Sequence, residues 1–133
     1  MNDVSPRASA PDAASQSLLD RGHLGEIMGM SDGPALAEFY AIYLRQTQSL
    51  CADLRADAAA DDLPALERLA HKFKSSTSFI GAGPLAARLE QLEVLCRAGE
   101  RQRVQAQLPA TATLAGLTLQ EIAAWRDELL CRS

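Results

Sequence analysis

Apolar residues recur along this chain at spacings of three, four and seven, the period of a helix face, and no stretch alternates as a half-buried strand would. Leu18, Leu24, Ile27 and Met28 outline a short helix from about Ser17 to Met28, weakened by Gly22 and Gly25. "SDGP" then sets Ser31 and Asp32 as caps and Pro34 in a first turn. A long helix is predicted from there to about Asp57, with a stripe of Leu36, Phe39, Tyr40, Tyr43, Leu50 and Leu54. "DDLP" repeats the start signal, with Asp61 or Asp62 as cap. The next helix carries Leu66, Leu69, Ala70, Phe73 and Ile80 and stops near Gly81. "GAGP" restarts the chain into a helix with Leu85, Leu89, Leu92 and Cys96, ending at Ala98–Gly99. The last segment, Glu100 to Cys131, holds Val104, Leu108, Ala115, Ile122, Trp125 and Leu129, and Pro109 is expected to kink or break it.

Long amphipathic helices joined by short loops make an all-α domain, an antiparallel four-helix bundle with a short extra N-terminal helix. Composition agrees. Apolar residues are 47% of the 133, yet aromatics only 5%, so the core must be built from Leu, Ala, Ile and Val. The opening 16 residues, Ala, Ser, Pro and Asp with little to bury, read as a disordered tail or linker, leaving residues 17–131 for the bundle. A net charge of −4 argues against a nucleic-acid partner. Cys51, Cys96 and Cys131 are an odd, scattered set without CxxC, which suits free thiols in a reducing compartment. With no apolar run near ~18 residues and no leader pattern, the expected setting is cytoplasmic, without direct membrane contact.

The chemistry concentrates in "LAHKFKSSTSFIGAG", Leu69 to Gly83. At ~100° per residue, Leu66, Leu69, Ala70, Phe73, Thr77 and Ile80 fall within a sector of roughly 100°, a normal buried stripe. His71 lies about 150° from its centre and therefore points outward. Lys74, Ser75 and Ser78 share its face at i+3, i+4 and i+7, Glu67 lies at i−4, and Arg68 and Lys72 flank it. An exposed helical histidine is usually just part of a solvated face. A metal needs several converging ligands, and Glu67 alone is near, so no metal site is expected. A hydrolytic triad needs an oxyanion hole that a helix mid-section does not supply. One chemistry does suit the run. A neutral imidazole is a competent nucleophile near neutral pH. A phosphoryl group on it would bring nearly two negative charges, to be met by the Lys74 ammonium and the hydroxyls of Ser75 and Ser78.

"AHKFKSSTSFIGAGPLAARLEQLE" resembles the signature of histidine phosphotransfer (HPt) domains of multistep two-component phosphorelays. The pattern falls on His71, Lys74, Ser75, Gly81, Ala82, Leu85, Leu92 and Glu93. The resemblance implies that His71 is the phospho-acceptor and that Lys74 steadies the phosphate. It also implies partners: receiver domains of response regulators, from a hybrid sensor kinase and from a downstream regulator. The receiver would supply the Mg²⁺, so the chain itself needs no cofactor, and it would act as a monomer. Glu67, Arg68 and Lys72 are candidates for partner contact. Ser75 departs from the family's usual glycine, which leaves room for the receiver. Gly81 has a structural reading of its own, a helix stop at positive φ.

Two other readings are distinguishable. An autophosphorylating kinase dimerisation domain commonly has an acidic residue just after its histidine and a proline soon after. Here Lys72 follows His71, no proline appears before Pro84, and no nucleotide-cradling loop is present, so no autonomous kinase activity is expected. A non-phosphorylated module that binds and inhibits a receiver or kinase would need neither His71 nor Lys74. Arg97, Arg101 and Arg103 are read as solvated, His23 as a surface histidine, and Tyr40 and Trp125 as core aromatics.

Overall fold

The computed structural model describes residues 17–132, so the N-terminal tail read from the sequence lies outside the described residues. Six helices follow one another: α1 (His23–Met28), α2 (Gly33–Gln46), α3 (Leu50–Ala59), α4 (Leu63–Phe79), α5 (Gly83–Arg97) and α6 (Arg101–Cys131). The described residues contain no strand. The start signals act as read: the Asp32 carboxylate accepts from Ala35 N at 3.2 Å and the Asp62 carboxylate from Ala65 N at 3.1 Å. Each thereby occupies an amide that has no partner within the helix. The stop signals act through left-handed residues. Gly29, Gly81 and Gly99 take φ of 61°, 91° and 72°, and Asp61 takes the same role after α3 at 55°. After α4 the closing bonds are Gly81 N to Ser78 O and Ala82 N to Thr77 O, which reverse the chain within three residues.

Two differences from the sequence reading reshape the bundle. The helix expected from Pro34 to Asp57 is two helices, broken at Thr47–Ser49. "RQTQS" (45–49) offers no apolar residue to hold a continuous stripe. The buried Thr47 hydroxyl instead bonds back to Tyr43 O at 2.8 Å, joining its own amide on the same carbonyl. Serine and threonine compete with the helix ladder in this way. Conversely, Pro109 does not break α6. It is exposed, and the lost amide leaves only the carbonyl of Gln105 without its usual donor. Packing on both sides of Pro109 carries the helix through.

The break divides the interior into two cores. Leu50 and Leu54 of α3, Leu66, Ala70 and Phe73 of α4, Leu85, Leu89 and Leu92 of α5, and Val104, Leu108 and Ala115 of α6 form one four-helix bundle. Tyr40 and Tyr43 of α2 pack instead with Leu19, Leu24, Ile80, Ala82 and the far half of α6, at Ile122, Trp125 and Leu129. Burial of each large side chain stabilises by roughly 1.5–3 kcal/mol. The cores are joined by a buried 2.6 Å hydrogen bond between Tyr43 Oη and Thr77 Oγ1. Burial, opposed by that bond, pushes the Tyr43 phenol up to about 12.

The segment before α1 straps the α4–α5 turn. Asp20 N donates to Gly81 O at 2.8 Å, and Ser17 Oγ and Leu18 N bond to Glu121 on α6. His23 is not a plain surface histidine: it is half-buried and lies over Gly81. A Cβ at Gly81 would stand 2.8 Å from Asp20 O and 2.9 Å from His23 Cβ, besides requiring a left-handed backbone. Gly81→Ala is therefore expected to destabilise by about 2 kcal/mol or more, read from urea unfolding midpoints. Gly83→Ala, where an added Cβ meets nothing within 4 Å, should stay within about 0.5 kcal/mol of the parent.

Candidate functional site

Helix α4 buries Leu63, Leu66, Ala70, Phe73 and Thr77, and the opposite side of the same helix carries His71. The His71 side chain is 72% exposed, so its ring stands in solvent at one edge. Lys72, Ser75 and Ser78 are exposed beside it, and Lys74 is partly covered. Neither the Ser75 nor the Ser78 hydroxyl is hydrogen-bonded among the described residues. Arg68 and Lys72 lie along the α3-facing flank of this surface, beside Asp53 and Asp57, and form no ion pair among the described residues. Glu67 is drawn aside: its Oε2 takes the Arg97 Nε at 3.1 Å.

The sequence reading placed no role on Glu93, and here the structure adds most. Although a carboxylate, Glu93 is only 3% exposed. The tight α4–α5 turn sets the two helices antiparallel, which brings Glu93 under His71. His71 Nδ1 lies 2.8 Å from Glu93 Oε2, Lys74 Nζ 2.8 Å from Oε1, and Arg97 Nη2 2.7 Å from Oε2. A buried carboxylate needs this many donors, because an unpaired charge out of water is costly. The Lys74 hydrogen bond, aided by His71 and opposed by desolvation, holds the Glu93 carboxyl down at about 2. Lys74 is raised in turn, first by Glu93 and then by Glu90, whose Oε1 lies 3.0 Å from the ammonium. Two glutamates of α5 thus reach across to this face.

A sequence signal for Glu93 existed. It stands four residues after Leu89 and three before Cys96, on the stripe that α5 buries. A charge in that position must find partners inside the fold. Its i+4 neighbour Arg97 is one of them, and so is not a plain solvated arginine. Arg101 is also engaged, by Asp61 at 2.7 Å.

The carboxylate has a chemical consequence for the ring. An ionised Glu93 accepts but cannot donate, so the Nδ1 facing it carries the proton. The neutral imidazole then keeps its lone pair on Nε2, the nitrogen directed away from the carboxylate. Among the described residues, no three His, Cys, Asp or Glu side chains converge to hold a metal ion.

The fold and this face define a helical bundle that carries one exposed imidazole oriented by a buried carboxylate. The model of the Hpt domain matches residues 38–129, well over half of the chain. The protein therefore belongs to the Hpt domain family, whose members serve as histidine phosphotransfer modules in two-component phosphorelays and interact with receiver domains of response regulators. No curated protein and no solved structure matches the chain. No described helix is long and apolar enough to cross a membrane.

The depressed Glu93 carboxyl has a defined pH signature. A group whose folded-state pKa is lowered contributes stability that is fully present above its ordinary value of 4.5 and lost as the pH falls through about 2. The stability difference between the parent and Glu93→Gln, followed by urea unfolding, should be constant above about pH 5.5 and shrink steadily below 4.5. A difference that stays constant down to pH 3 would mean that Glu93 is not held ionised by these partners.

Proposed function

We propose that this Hpt domain carries its phosphoryl group on Nε2 of His71, taking it from and returning it to the phosphorylated aspartate of a receiver domain. The observation that carries the reading is the buried Glu93 carboxylate 2.8 Å from His71 Nδ1. The step then balances simply. The Nε2 lone pair forms the N–P bond as the P–O bond to the receiver's aspartate breaks, and that aspartate leaves as a carboxylate. No proton has to leave Nε2, and the positive charge gained by the ring faces Glu93. In the reverse direction the same bonds exchange roles. Because metaphosphate-like transfer is mostly positioning and charge compensation, this chain's share of the work is to hold the imidazole in one tautomer and orientation.

The Lys74 ammonium has three donors and spends two on Glu93 and Glu90, so one remains for a phosphoryl oxygen. Ser75 and Ser78 offer hydroxyls on the same face. Mg²⁺ comes with the receiver, and the chain has no nucleotide chemistry of its own. Arg68 and Lys72 form the cationic flank that the partner meets. The receivers are those of a hybrid sensor kinase upstream and of a regulator downstream, and the module acts as a cytoplasmic monomer. We take the working unit to be residues 17–131, since Ser17 and Leu18 are tied to Glu121 of α6. A module that only docks and inhibits would have no use for a buried carboxylate that orients the ring.

Incubation with a phosphorylated receiver and Mg²⁺ is expected to label the protein with an acid-labile, alkali-stable phosphate. His71→Gln should abolish the label and leave the helical circular dichroism unchanged. Persistent labelling of that variant would move the acceptor elsewhere. Ser75 tests the docking face independently. It is exposed and without partners, so Ser75→Leu should fold with stability within about 0.5 kcal/mol of the parent yet block transfer from the receiver. Unimpaired transfer would mean that the receiver approaches from another side.

A further inference from the structure

Lys74 keeps one donor for a phosphoryl group but is not free to move toward it. Its ammonium is shared between two carboxylates of α5, at 2.8 Å from Glu93 Oε1 and 3.0 Å from Glu90 Oε1. The two are not equivalent. Glu93 is 4% exposed in its side chain and also holds His71 and Arg97, so it cannot turn away without stranding a buried charge. Glu90 is 60% exposed, and among the described residues Lys74 is its only ion-pair partner. The antiparallel register of α4 and α5 adds a direction. His71 meets Glu93, whereas Lys74, one turn further along α4, also meets Glu90, one turn earlier on α5. Glu90 therefore draws the ammonium along α4, away from the histidine ring.

Resting on the phosphoryl-carrier reading above, we infer that Glu90 is a positioning residue that sets how long His71 keeps its phosphoryl group, by competing with that group for the Lys74 ammonium. With Nε2 unmodified, the ammonium is satisfied by the two glutamates. Once Nε2 carries a phosphoryl group of nearly two negative charges, the exposed Glu90 is the ligand that Lys74 gives up. The carboxylate returns to water at little cost, because exposed ion pairs are weak. The competition still raises the free energy of the phosphorylated state relative to the free one. It thus favours passing the group on over storing it. When the group is lost, the N–P bond breaks as a P–O bond forms, to water in hydrolysis or to the receiver's aspartate in transfer. Glu90 takes no part in either bond and acts only through Lys74.

The test uses the full chain loaded with phosphoramidate, a small donor that needs no receiver. The readout is the half-life of the phosphohistidine after the donor is removed. Glu90→Gln should lengthen that half-life about two- to fivefold, the range that follows from loss of one exposed ion pair. It should also shift the phosphoryl distribution toward this chain by a similar factor when a receiver is added. Lys74→Ala should shorten the half-life, and in that background Glu90→Gln should have no further effect, because the competition acts through the ammonium. An unchanged half-life in Glu90→Gln overturns the inference. So does a lengthening that persists without Lys74, which would mean direct repulsion between Glu90 and the phosphoryl group. If the parent takes no phosphate at His71 from phosphoramidate or from a receiver, it is the carrier reading that fails, and this inference falls with it.

Discussion

One buried carboxylate organises the site. Glu93 lies within a helix face otherwise made of leucines and Cys96, and a charge there persists only if donors surround it. It collects three, from His71 and Lys74 on α4 and from Arg97 one turn along its own helix. Each of these side chains is long or exposed enough to wander by itself. Tied to a common buried oxygen pair, they are held in one arrangement. The cost of stranding the charge is what makes the arrangement stiff.

That constraint works only if α4 and α5 keep their register, and the rest of the chain attends to this. Gly81 reverses the chain in a left-handed conformation that also lets the backbone of Asp20 approach. The strap from Ser17 to Asp20 is hydrogen-bonded to the turn at one end and to α6 at the other. Leu85, Leu89 and Leu92 lock the buried face of α5 into the first core. A slip of one residue between the helices would pull Glu93 from beneath His71. Apolar packing thus sets that the helices pair, and the polar cluster sets how.

The two-core layout leaves the site free. The packing of α1 and α2 gathers around the far half of α6 and the α4–α5 turn, while His71 lies along the middle of α4, over the four-helix half. Nothing among the described residues crosses the face bearing His71, Ser75 and Ser78. Thr77, on the reverse side of the same helix, carries the hydrogen bond to Tyr43 that joins the cores. One helix therefore serves as structural link on its inner side and carries the exposed His71 face on its outer side.

The helices, their caps and stops, and the outward direction of His71 were legible in the sequence because each depends on residues close together in the chain. A capping aspartate, a stripe of leucines or a glycine at positive φ acts within one or two turns. The break at Thr47 and the continuity at Pro109 went the other way from local expectation. At Thr47 a local polar run ended the helix, and α2 and α3 went to different cores; at Pro109 packing outweighed propensity, since α6 is gripped by both cores. The decisive pairings were beyond the reach of spacing. His71 and Glu93 are 22 positions apart, and Lys74 and Glu93 are 19 apart. The sequence by itself determined that a histidine would face outward beside a lysine and two serines. Only the tertiary structure decided which ring nitrogen is protonated and where the ammonium rests, because both are set by carboxylates on the neighbouring helix, and helix pairing is what brings distant positions within hydrogen-bond range.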